Sequence, residues 1–98
     1  MAVKEKILVV DDEPSIRKYL QTLLEVDGFD VETVSSGKEA LAKINAGERP
    51  DFIILDVLMP ELNGLDTLKE LMQLDRSLNV IMLRRVLRDR CSGLVVSV

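Results

Sequence analysis

Two apolar runs in this 98-residue chain end on carboxylates. Residues 7–10, Ile-Leu-Val-Val, lead into Asp11-Asp12-Glu13-Pro14, and residues 52–55, Phe-Ile-Ile-Leu, lead into Asp56 and then Val57-Leu58-Met59-Pro60. An uninterrupted apolar run is the pattern of a strand buried on both faces, so each aspartate stands where a strand leaves the interior. Three carboxylates brought within a few ångströms repel one another, and a hard divalent cation is the natural remedy. Mg²⁺ is commonly held by one or two carboxylates with waters and phosphate oxygens, so such a cluster suits the handling of a phosphoryl group. One carboxylate then serves as a nucleophile that forms an acyl phosphate, and Asp56 is best placed for that role. The chain has no histidine, which excludes histidine-based metal sites and Ser-His-Asp triads, and its single cysteine, Cys91, cannot form an internal disulfide.

Convergence of the three carboxylates depends on the elements that carry them. Pro14 opens a helix in which Ile16, Tyr19, Leu20, Leu23 and Leu24 recur at three-to-four spacing, with Gly28 as its stop. Residues 31–34 read as a second strand. Ser36-Gly37-Lys38-Glu39 is a capping-box pattern ahead of Ala40, Leu41 and Ile44, and Gly47 ends that helix. Residues 52–55 are the third strand. After Pro60 and Gly64, Leu65, Leu68, Leu71, Met72 and Leu74 give a third helix, and residues 80–83 give a fourth strand. The leucines of all three helices are expected in the core. Strands alternating with single helices predict the α/β class, a flavodoxin-like parallel sheet of order 2-1-3-4 with helices on both faces. In that order the winding reverses between strands 1 and 3, where Asp11, Asp12 and Asp56 emerge.

Charge is unevenly spread. Residues 1–83 hold 16 acids against nine bases, whereas residues 84–98 hold four arginines against Asp89. An acidic body argues against direct nucleic-acid binding, which needs clustered lysine and arginine. No apolar run approaches the length needed to span a bilayer, and the start lacks the apolar stretch of a signal peptide, so the expectation is a cytoplasmic protein with no membrane partner.

With these residues in view, the sequence resembles the receiver domain of bacterial two-component response regulators. The resemblance rests on Ile7-Leu-Val-Val-Asp-Asp-Glu-Pro14, on Asp56-Val-Leu-Met-Pro60 with Gly64 after it, and on Val80-Ile-Met-Leu83, and it runs from about residue 6 to 83. It implies that Asp56 takes a phosphoryl group from a sensor histidine kinase. Mg²⁺, or Mn²⁺ as a substitute, would be held by Asp12, Asp56 and the backbone carbonyl of Leu58, with Asp11 acting largely through bound water. Met59, Pro60 and Gly64 would shape the supporting loop. Such a domain is a phosphoacceptor and not an enzyme acting on an external substrate, and it serves an output domain in a longer parent chain. A haloacid-dehalogenase-type phosphohydrolase also forms an aspartyl phosphate, but its nucleophile motif carries a second aspartate two residues on. Here Glu13 follows Asp11 at that spacing and Leu58 follows Asp56.

The resemblance stops at Leu83. Where the family ends strand 4 on a Ser or Thr that engages the phosphoryl group, this chain has Arg84, which becomes a candidate phosphoryl contact. The family's Lys-Pro pair after strand 5 and its aromatic switch residue have no counterpart, since no lysine follows Lys69 and no aromatic follows Phe52. The domain is therefore placed at residues 1–83, with 84–98 an atypical tail that lacks the family's last helix. The tail is expected to form a short helix over about 85–92 and to return 94–98 as a fifth, edge strand. Loss of the last helix uncovers part of one sheet face, which predicts a homodimer through the tail or the sheet edge. The alternative function is a degenerate receiver-like interaction module unable to switch.

Overall fold

The computed structural model describes residues 4–56, 64–87 and 92–97, the residues from 84 onward by their backbone. The chain runs β1 (Lys6–Val10), α1 (Pro14–Val26), β2 (Asp30–Val34), α2 (Gly37–Asn45), β3 (Phe52–Asp56), α3 (Gly64–Leu74), β4 (Val80–Leu87) and β5 (Ser92–Ser97). Sheet order is β2-β1-β3-β4-β5, and the first four strands are parallel.

β1 is the centre of the fold, and its four apolar residues are all buried. Because side chains alternate across a strand, Ile7 and Val9 pack beneath α1 with Leu20 and Val31, whereas Leu8 and Val10 face Ala40 and Ile44 of α2 and Leu71 of α3. Helices thus cover both faces, α1 on one and α2 with α3 on the other. Not every helical leucine is in the core, however: Leu23, Leu65 and Leu74 are exposed. The apolar stripes of α1 and α3 are wider than the strip of sheet available to cover them.

The helix ends follow their local chemistry. Gly28 and Gly47 are the described glycines with positive φ, and each closes a helix. After α1, Gly28 N–H donates to Glu25 O and Phe29 N–H to Leu24 O; after α2, Gly47 N–H donates to Ile44 O and Glu48 N–H to Lys43 O. These paired bonds satisfy the last carbonyls of both helices through a left-handed glycine. At the start of α2, Ser36 Oγ accepts Glu39 N–H at 3.2 Å, but Glu39 reaches back to Ser35 N–H at 2.7 Å, one residue earlier than the capping box expected.

The tail departs from expectation in its connection. β5 lies at the sheet edge beside β4 as anticipated, but the pairing is antiparallel, from Met82↔Ser97 to Leu87↔Ser92. Residues 85–87, assigned to a short helix from sequence, are strand. A parallel return needs a crossover of a dozen or more residues, about the whole of what was available, whereas an antiparallel partner needs only a hairpin. Extending β4 to Leu87 leaves four residues before Ser92, which suffices. Three helices are present among the described residues, and none of them follows β4.

Candidate metal centre and phosphoacceptor

Register brings the carboxylates together. Val10 pairs with Val34 on one side and Leu55 on the other, so the next residues, Asp11 and Asp56, leave adjacent strands at the same level. Asp11 N–H donates to Val34 O at 3.2 Å, carrying the β1–β2 ladder one step past the strand and fixing the backbone of Asp11. Its Oδ1 accepts Glu13 N–H at 2.9 Å, a turn closed by the side chain that swings the chain toward α1. Asp11 and Asp56 are fully buried, and Asp12 lies closer to solvent. One carboxylate oxygen from each of Asp11, Asp12 and Asp56 falls within a group no more than 4.8 Å across. Burying two carboxylates is costly unless something compensates their charge, and a divalent cation bound by all three would do so.

Arg17, which the sequence reading did not single out, reaches back from the first turn of α1, and its Nη1 donates to Asp11 O at 2.8 Å. It ties the helix to the acidic loop through a backbone carbonyl, a contact that no charge pattern in the sequence reveals. Gly64 is the buried first residue of α3. Leu58, Met59 and Pro60 lie outside the described residues, as does the side chain of Arg84. The backbone of Arg84 follows Leu83, the partner of Asp56 across the β3–β4 ladder.

Charged groups at the other end of the sheet are arranged differently. Lys43 Nζ sits 2.9 Å from Glu32 and 3.5 Å from Glu48, and the hydrogen bond it donates to Glu32 first, then both carboxylates' charge, holds its pKa above the usual lysine value. Arg49 pairs with Asp75 at 2.8 Å. These contacts pin α2 to β2 and α3, and their charges are matched by one another.

Comparison with known proteins agrees with this geometry. The response regulator receiver domain family matches residues 7–88. A transcriptional regulatory protein CpxR homolog of Haemophilus influenzae is 53% identical over 66 residues, 67% of this chain and 28% of that protein. The alkaline phosphatase synthesis transcriptional regulatory protein PhoP of Bacillus subtilis is 48% identical over 81 residues, 83% of this chain and 33% of that one. The chain thus spans about a third of the length of the curated relatives it matches. Among solved structures, the Thermotoga maritima response regulator TrrA in complex with Mg(2+)-BeF superposes with a TM-score of 0.77 at 39% identity, covering 82% of this chain and 69% of that one. The Vibrio cholerae chemotaxis protein CheY4 gives 0.75 at 36%, covering 82% and 68%. A parallel 2-1-3-4 sheet that gathers three aspartates where its winding reverses, matched along most of its length to one family, makes this chain a member of the response regulator receiver domains of two-component systems.

Proposed function

We propose that this receiver domain accepts a phosphoryl group on Asp56 from the phosphohistidine of a sensor kinase, in a reaction that depends on Mg²⁺. The observation that carries the reading is the gathering of Asp11, Asp12 and Asp56, each offering an oxygen within 4.8 Å of the others. Three hard oxygen donors of this kind suit Mg²⁺, and Mn²⁺ is expected to substitute. The Mg(2+)-BeF complex of the Thermotoga relative supports the same assignment. Asp11, Asp12, Asp56 and the backbone carbonyl of Leu58 would hold the ion, with Asp11 acting largely through water. Bound there, the cation offsets the charge of the carboxylates and of the incoming phosphoryl oxygens.

Asp56 performs the chemistry. A carboxylate oxygen attacks phosphorus, the P–N bond to the kinase imidazole breaks, and its electron pair stays on the departing nitrogen, leaving an aspartyl phosphate. Burial at the end of β3 keeps the nucleophile in place and limits water around it. The Asp11 turn and the Arg17 bond to its carbonyl hold the loop opposite. Arg84 stands in sequence where the family has its hydroxyl and is the candidate phosphoryl contact. The domain works as a phosphoacceptor and turns over no external substrate. The domain acts in the cytoplasm, and its partners are a sensor histidine kinase and an output domain in a longer protein, in keeping with relatives about two and a half times its length.

A second reading, a receiver-like interaction module that does not switch, draws on the antiparallel β5, which pairs with β4 from Met82 to Leu87. Incubation with acetyl phosphate and Mg²⁺ followed by intact-mass measurement separates the two. The first reading expects one phosphoryl group, lost with EDTA and in Asp56→Asn, and no sustained hydrolysis of p-nitrophenyl phosphate. An unmodified chain, or equal labelling of Asp56→Asn, would rule it out.

A further inference from the structure

β4 outruns the strands beside it. β1, β2 and β3 end within one residue of a common level, at Val10, Val34 and Asp56, and Leu83 is the last residue of β4 with a partner in β3. Beyond it β4 continues from Arg84 to Leu87, paired with Val95 back to Ser92 of β5. Four residues of strand rise about 13 Å, so a two-stranded hairpin stands past the carboxyl end of the sheet, one strand over from Asp56. With strands about 4.8 Å apart and residues about 3.3 Å apart, the backbones of Arg84 and Arg85 lie about 6 and 8 Å from that of Asp56. Positive charge concentrates in the same segment. Residues 84–98 hold Arg84, Arg85, Arg88 and Arg90 against Asp89, whereas acids outnumber bases in residues 1–83.

We infer that the β4–β5 hairpin is a cationic flank of the phosphoacceptor site and selects dianionic acyl phosphates, acetyl phosphate among them, as small donors to Asp56. The inference rests on the phosphoacceptor reading and adds the charge class of the donor. Asp11, Asp12 and Asp56 together with one divalent cation still leave a negative charge in the crevice, which repels an approaching dianion. Arginine stays charged at any ordinary pH, and charges within about a Debye length, about 10 Å at 0.1 M salt, offset that repulsion. The gain grows with the donor's charge, so it is larger for acetyl phosphate than for phosphoramidate, whose net charge near neutrality is smaller. In the transfer an Asp56 oxygen bonds to phosphorus while the P–O bond to the acetyl group breaks, and its electron pair leaves with acetate. From phosphoramidate the P–N bond breaks and ammonia departs with the pair. The field that draws an anion in also opposes Mg²⁺, so the hairpin must speed labelling and weaken cation binding together. A segment that served only to complete the sheet would not link those two effects with opposite sign.

The test compares the full chain with a variant carrying Arg85→Gln, Arg88→Gln and Arg90→Gln, which keeps Arg84 so that a direct contact is not removed with the field. Circular dichroism checks that both are folded, intact-mass measurement follows labelling by each donor at saturating Mg²⁺, and calorimetry measures Mg²⁺ affinity without any donor. At low salt the variant should take label from acetyl phosphate about threefold or more slowly, lose less with phosphoramidate, and match the parent in 1 M NaCl, where the Debye length is about 3 Å. It should also bind Mg²⁺ about twofold or more tightly. An unchanged rate with acetyl phosphate would overturn the inference. So would an equal loss with both donors that persists in 1 M NaCl, or weaker Mg²⁺ binding by the variant, since either marks a structural role. A parent that takes no label from either donor would overturn the phosphoacceptor reading and this inference with it, whereas a normally labelled parent matched by its variant overturns the inference alone.

Discussion

Asp12→Asn removes one charge from the carboxylate cluster at nearly constant side-chain size, and its effect on stability should change sign with Mg²⁺. Without the cation, Asp12 is repelled by both Asp11 and Asp56, whose ligand oxygens lie within 4.8 Å of its own. Two unit charges at that separation repel by about 3.5 kcal/mol at an effective dielectric constant of about 20 and by about 0.9 kcal/mol in bulk water. Asp12 is open to solvent on one side, so after screening the two repulsions together are worth about 1–3 kcal/mol. The variant should therefore be more stable than the parent in EDTA by about that amount. With Mg²⁺ at a hundredfold excess over its dissociation constant, the parent gains about 2.7 kcal/mol that the variant largely forgoes. Urea denaturation followed by circular dichroism, in EDTA and in MgCl₂, measures both differences. Added NaCl should stabilise the metal-free parent more than the variant, because screening acts on the repulsion. If the variant is less stable in EDTA by as much as in MgCl₂, Asp12 acts through hydrogen bonding or packing and the electrostatic reasoning fails. Equal stabilisation of both proteins by Mg²⁺ would place the ion elsewhere.

Two leucines on α3 should behave oppositely: Leu71→Ala, at a fully buried position, should cost about 2–5 kcal/mol, and Leu65→Ala, at an exposed one, about 0.5 kcal/mol or less, both read by urea denaturation. A methyl group on Gly37 would collide with Thr67 Oγ1, so Gly37→Ala should cost about 1–3 kcal/mol. Thr67→Ala in the same chain should recover part of that loss, and a double-mutant cycle with no coupling would show that α2 and α3 do not meet there. Hydrogen bonds from Ser77, through its hydroxyl and backbone N–H, and then Arg49 hold the Asp75 carboxyl below its usual pKa. A folded-state value below the unfolded one contributes stability that is complete above the unfolded value and lost as pH falls through the folded one. The deficit of Asp75→Asn in thermal denaturation should thus be constant near neutrality and shrink in acid, below the ordinary carboxylate range.

The parallel part of the fold was legible because its signals are local. Apolar runs end at turn residues, Gly28 and Gly47 terminate helices that could not continue without a left-handed residue, and alternation of element types leaves few topologies. From that order alone Asp11 and Asp56 had to meet. Lys6 and Asp30 join their strands by pairing with each other, which no pattern along the chain announces. Arg17 escaped notice for a related reason, since its partner is a carbonyl and every residue has one. The tail was misread because residues 84–98 offer weak signals for helix and strand alike. What decides between them is the ladder offered by β4, a contact between residues that only folding brings together.

That ladder also bears on whether phosphorylation of Asp56 would be transmitted. β4 is held by β3 from Val80 to Leu83 and by β5 from Met82 to Leu87, so its central residues are hydrogen-bonded on both sides. A ligand shifts a conformational equilibrium only as far as it interacts differently with the two states. The nucleophile is present at the end of β3, but the hydroxyl position after Leu83 is Arg84, whose backbone is paired with Val95, and no aromatic residue follows Phe52. Moving β4 toward a phosphoryl group would break ladder bonds on two sides without those differential contacts to offset the loss. A beryllofluoride adduct formed with Mg²⁺ should therefore shift backbone amide resonances near Asp11, Asp12 and Asp56 and leave those of β4 beyond Leu83 and of β5 nearly unchanged. Large, cooperative shifts extending through β4 into β5 would mean that Arg84 or another tail residue supplies the missing contact, and the hairpin would then have to be regarded as the moving part of a working switch.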